Sequence, residues 1–306
     1  MTVLRMTVLR VTVLRMRWLA APVIALVALC VASPAGASGG GDRIDVVAAF
    51  YPLAEAVRQV GGNRVDVTDL TPAGAEPHDL ELDTDDVDAI LDADLAVVLG
   101  EGFQPAVEDA ADQRDGPTLR VLDQVDRGRR DDDPHVWLDP VRYRRLVAVV
   151  ADALADVDPD HARAYRRNAA RFAAELRDLD ADLAAGLSDC RSRTILTAHD
   201  AFGWLAARYD LEQHGVAGLE PDAEPDPDRL AELADLAERE GVTTVFTEAL
   251  VSPRVARTLA REAGGLRTAV LDPLEGLDDE RIDAGDDYLS VMRDNLAQLR
   301  KALGCT

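Results

Sequence analysis

Residues 158–187 carry one unbroken helical pattern, with Pro159 near its start, an alanine and arginine body, and Gly186 near its end. No other glycine or proline interrupts it. At ~1.5 Å per residue such a helix runs roughly 40 Å, long enough to span two lobes. We read it as a rigid connector. An ordinary long surface helix would have the same pattern and would require no boundary here.

Both flanks alternate short apolar runs with helical patterns. Ahead of the rod, residues 44–50, 64–70 and 95–99 read as strands, and 52–61 and 84–93 as helices, the latter with Thr84 as its cap. Behind it, strands are expected over 193–197, 213–219, 243–247 and 267–271, with helices over 202–208, 228–240, 253–263 and 287–303. Pro221, Pro225 and Pro227 punctuate a turn region. Residues 111–133 read as an exposed loop, despite the apolar interruption Leu119-Arg120-Val121-Leu122. Strands alternating with helices predict mostly parallel sheets covered on both faces. The expectation is an α/β chain of two lobes, 44–157 and 188–306, joined by the connector 158–187.

The first 37 residues stand outside this pattern. Arg5, Arg10, Arg15 and Arg17 precede an apolar run, and Ala35-Gly36-Ala37 fits the small-x-small rule of a secretion signal. The run is too short for a comfortable membrane span, so a removed leader is expected, with Met1 or Met16 as the start. Cys30 in that run loosely resembles a lipoprotein signal, which leaves a lipid anchor as an alternative. Losing four arginines and no acid takes the formal charge from -24 to about -28. Nucleic acid is therefore excluded as a partner, since phosphate binding needs a basic face. The acidic exterior suits cation attraction and a salty habitat equally well. Cys190 and Cys305 would be the only cysteines left, and an oxidising compartment favours a disulfide between them over two thiols.

Three histidines occupy loops beside strand ends: His78 in Glu76-Pro77-His78-Asp79, His135 between Pro134 and Pro140, and His199 after the 193–197 strand. Pro134 biases Asp133 away from helix and Pro140 suits a first helical position, so His135 falls on a stiff irregular segment. His161 and His214 read as surface residues. In α/β folds ligands gather where strands end. Neutral imidazoles suit zinc, while carboxylate-dominated sites suit manganese or magnesium. The spacing is wide, so it does not by itself define a site. Three histidines with an open position would also serve a secreted zinc hydrolase, although no HExxH helix is present.

The pieces GAEPHDLEL, DPHVWLDP, TAHDAFGWLAARYDL, FTEALVSPRVARTLA and LDPLEGL occur in this order and resemble the zinc-binding solute-binding proteins of bacterial ABC metal importers, the ZnuA/TroA-like family. The resemblance covers nearly all of residues 44–306. It implies a metal held between two α/β lobes on one long helix, with His78, His135 and His199 as ligands. For the fourth place it implies Glu275, with Asp272, Glu76 or water as alternatives. Asp200 and Glu248 are expected to orient an imidazole. Manganese-type relatives usually carry glutamate at the third position, so His199 favours Zn(II) over Mn(II). One departure counts the other way. Zinc-type relatives often carry a His-rich loop before the second ligand, whereas residues 127–133 hold acids and no histidine. The implied function is an exported, periplasmic or cell-surface binding protein. It would not be an enzyme, and would act as a monomer that hands its metal to a membrane permease.

Overall fold

The computed structural model describes residues 43–128, 130, 132–221, 223 and 226–306. The expected leader, Cys30 and Pro225 lie outside them. The chain opens with β1 (Ile44–Ala48), α1 (Tyr51–Gly61), β2 (Val65–Asp69), α2 (Thr84–Asp92), β3 (Leu95–Val98), α3 (Pro105–Ala111) and β4 (Thr118–Arg120). Its four strands are parallel in the order β2-β1-β3-β4. The two central strands are the apolar runs, and β3 is buried along its whole length. A strand covered on both faces has no polar side to alternate with.

Two expectations need correction here. The apolar interruption in 111–133 is strand β4, not loop. An edge position needs only three residues and tolerates the half-exposed Thr118 and Arg120. The cap of α2 is Asp83, not Thr84. Asp83 accepts from the Asp85 and Asp86 backbone N–H groups, and the Asp86 carboxylate in turn accepts from the Asp83 N–H.

Next come α4 (Pro140–Val157), capped by the Asp139 carboxylate, and α5 (Ala162–Gly186), 25 residues long. A single 3₁₀ turn at Pro159–His161 replaces the first turn expected of the rod. Tyr165, Ala169, Phe172, Leu176, Leu179 and Leu183 are the buried residues of α5, at alternating steps of four and three. That spacing puts them on one stripe.

The remainder is β5 (Thr194–Thr197), α6 (Gly203–Arg208), β6 (Glu212–Gly215), α7 (Pro227–Glu240), β7 (Thr244–Thr247), α8 (Arg254–Glu262), β8 (Arg267–Val270), α9 (Asp279–Ala284) and α10 (Tyr288–Leu303). Its parallel sheet repeats the first in order, β6-β5-β7-β8. Cys190 and Cys305 form a disulfide across 115 residues, tying the approach to β5 to the end of α10.

The stripe of α5 packs against α1 and α4 from the first half and α10 from the second. One apolar core consequently runs through both halves, from Val47 and Phe50 to Leu271, Tyr288 and Leu299. A smaller cluster, including Leu196, Leu233, Val245 and Leu259, lies under α7 and α8. Hydrogen bonds reinforce the joint. Tyr143 stacks on Tyr288 with ring centres 4.1 Å apart, and the Tyr288 hydroxyl donates to the Trp137 carbonyl at 2.6 Å. Trp137 Nε1–H donates to the Pro273 carbonyl at 2.8 Å.

Candidate metal centre

The loops that follow β2, β4, β5 and β8 deliver His78, His135, His199 and Glu275 to one place. Ligand atoms of the four residues lie within 4.8 Å of one another. Oε1 of Glu275 stands 3.6 Å from His78 Nε2, 3.2 Å from His135 Nε2 and 3.4 Å from His199 Nε2. The four side chains are 5%, 0%, 0% and 1% exposed in the order named, so bulk water does not reach them. Nor does the protein satisfy them: the three Nε2 atoms and Oε1 have no hydrogen-bond partner among the described residues. Leaving four such groups unmet would cost about 1–3 kcal/mol each. A tetrahedral zinc with bonds of ~2.0–2.1 Å separates its ligand atoms by roughly 3.3 Å. The three Nε2-to-Oε1 distances bracket that edge, and the remaining separations lie within 4.8 Å.

The other ring nitrogen of each histidine faces a carboxylate. Asp133 Oδ1 lies 2.9 Å from His135 Nδ1 and also accepts the His135 backbone N–H at 3.0 Å. Glu248 grips His199 in the same double fashion, at 2.7 Å to Nδ1 and 3.1 Å to the backbone nitrogen. His78 Nδ1 lies 3.3 Å from Oε2 of Glu220. An ionised carboxylate can only accept, so Nδ1 is the nitrogen each ring turns to its carboxylate, and Nε2 is the nitrogen turned to Glu275 Oε1.

Electrostatics follow from this packing. Burial works against a charged His199, but its hydrogen bond to Glu248 and the charges of Glu248 and Glu275 win, raising its pKa to about 11. His135 is likewise raised, Asp133 and Glu275 outweighing burial. Burial would lift Glu275, yet the three surrounding imidazoles hold it well below the usual carboxylate range.

Residues 46–302 match the ZnuA family, described as the periplasmic component A of a zinc-uptake complex. The chain belongs to that family. Among its relatives, the zinc-binding protein AdcA of Streptococcus pyogenes is 35% identical over 287 residues, which is 84% of this chain but only 56% of AdcA. This chain thus spans little more than half of that relative. The high-affinity zinc uptake protein ZnuA of Bacillus subtilis is 34% identical, over 94% of this chain and 98% of its own length. The Zn(II)-bound ZnuA-like domain of Streptococcus pneumoniae AdcA superposes with a TM-score of 0.73 at 37% identity, covering 85% of this chain and 99% of the domain. The laminin-binding protein Lmb of Streptococcus agalactiae gives 0.77 at 31%, with the same coverage.

Not every residue expected near the site of this ZnuA-family chain acts there. Asp200 meets no imidazole among the described residues; its Oδ1 accepts from Gly215 N–H at 2.7 Å, pinning the end of β6. Asp272 is spent on its own loop: Oδ1 accepts from Leu274 N–H, Oδ2 pairs with Arg281, and Asn295 bonds its backbone on both sides. That bracing holds Leu274 at φ 58°, a strained value for a branched side chain, directly before Glu275. Glu76 accepts the His78 backbone N–H at 3.1 Å, and burial followed by the charge of Glu275 raises its pKa to about 7. His161 and His214 stay outside the cluster, paired with Asp158 and Glu212. Sequence reasoning missed Asp133 and Glu220. Asp133, two residues before His135, had a usable signal, because an aspartate at that spacing can accept from the backbone N–H two residues on. Glu220 had none.

Proposed function

We propose that this chain captures Zn(II) outside the cytoplasmic membrane and delivers it to the membrane permease of an ABC importer, acting as a monomer once residues 1–37 are removed. His78, His135, His199 and Glu275 are the ligands in this reading. The first lobe is 44–157, the connector 158–187 and the second lobe 188–306. The observation that carries it is the set of Nε2-to-Oε1 distances, 3.2–3.6 Å, at the edge length of a zinc tetrahedron. Membership of a zinc-uptake family supports the same cargo.

In capture the ion gives up water and the protonated ring of His199 gives up its Nε2 proton, as three imidazole nitrogens and one carboxylate oxygen take the ion. The carboxylates on Nδ1 of His135 and His199 fix the direction of those rings, so Nε2 already points at the ion's place and little movement accompanies the exchange. Three nitrogen donors favour zinc over manganese, which prefers oxygen. The hydrolase alternative loses ground because Glu275 takes the fourth place, leaving no open position for an activated water. Thermal shifts with each metal test the assignment: zinc should stabilise the chain more than manganese, and H78A, H135A and H199A should each lose most of that gain. A larger gain with manganese would overturn the choice of metal.

A further inference from the structure

The three imidazoles are not held alike. Asp133 and Glu248 are 9% and 2% exposed, and each grips both the ring and the backbone of its histidine. Glu220 is 74% exposed and touches the His78 ring alone, at 3.3 Å. The backbone of His78 is held by a different residue, Glu76. Glu220 also reaches across the molecule. His78 follows β2 of the first sheet, whereas Glu220 belongs to the loop between β6 and α7 of the second half. His78 is also the most exposed of the four clustered side chains, at 5%. Phe103 packs on its ring with centres 4.4 Å apart and supplies no polar restraint.

We infer that Glu220 is a positioning residue for His78, a latch from the opposite half that sets how fast the metal leaves. The inference rests on the zinc reading above. Carboxylates that steady a ligating imidazole change metal affinity 10–100-fold. A solvent-exposed contact at this distance belongs at the lower end. A buried grip at His135 and His199 fixes two rings permanently. A contact open to solvent at the third can break without disturbing the packed core, so His78 is the ligand that lets go first. The competing account is that Glu220 is an ordinary surface charge, and exposed pairs of that kind contribute almost nothing.

Zinc release from the full chain into excess chelator, followed by stopped flow, separates the two. E220A and E220Q should release zinc about tenfold faster, with the melting temperature of the metal-free chain unchanged. In the H78A background, loaded at zinc concentrations high enough to fill its weakened site, adding E220A should change nothing further, because the latch acts only through that ring. A release rate for both variants within twofold of the parent, on a parent that does hold zinc, would overturn the latch and leave the zinc reading standing. An equal acceleration with and without His78 would overturn it too, by showing a general charge effect. A parent chain that holds no zinc would overturn the zinc reading and the latch with it.

Discussion

At His199 and Glu275 the balance between burial and neighbouring charge determines how capture depends on pH. The folded pKa of His199, about 11, lies above its ordinary 6.5. The stability conferred by its protonated form is therefore complete below about 6.5 and is lost as the pH rises towards 11. Glu275 is depressed, so its contribution is present above the ordinary carboxylate range and lost only in strong acid. Zinc must displace the proton on His199 throughout this window. Sequence alone would put the loss of affinity near ~6.5, the free histidine value. The structure moves it upward. Calorimetry at pH 8 in two buffers of different ionisation enthalpy should show about one proton or more released per zinc. No release at pH 8 would contradict the raised pKa. The orienting carboxylates give a second test. E248A and D133A should each weaken zinc binding 10–100-fold. D200A should bind as the parent does, since Asp200 serves a backbone N–H of β6.

Among the elements, the long helix and the strands were legible because their periodicity is strong. The stripe on α5 and the apolar runs of β1, β3, β5 and β7 each repeat a spacing that burial imposes. The pieces that escaped are short. α3 and α9 have seven and six residues, about two turns, and lack large apolar anchors such as Trp204 and Leu205 that mark the equally short α6. β4 has three residues at a sheet edge, where one face need not be apolar. At the site, motif likeness marked the three histidines and Glu275, while Glu220 lies 142 positions from the ring it touches, a contact that only folding makes. The disulfide is the element-scale device with the largest expected effect. Cys190 and Cys305 close a span of 115 residues, so converting both to serine should cost about 5 kcal/mol by loop entropy. Urea denaturation measures it, and a loss below about 1 kcal/mol would contradict that account.

For the whole molecule, the decisive feature is a single apolar core shared by the two sheets. Tyr143 on Tyr288 and Trp137 on the Pro273 carbonyl lock the halves within sight of the site. Packed cores of this kind do not deform continuously. Zinc should thus bind with local adjustment of the loops around His78 and no hinge closure. Small-angle scattering curves with and without zinc should superimpose, and a clear contraction on loading would contradict the shared core as a brace. The central claim is the ligand set itself. X-ray absorption at the zinc edge of the loaded full chain tests it most directly. We predict four light-atom scatterers at about 2.0–2.1 Å, with the multiple-scattering signature of three imidazoles that falls to two in H199A. A six-coordinate oxygen shell, or an imidazole count unmoved by that substitution, would contradict it.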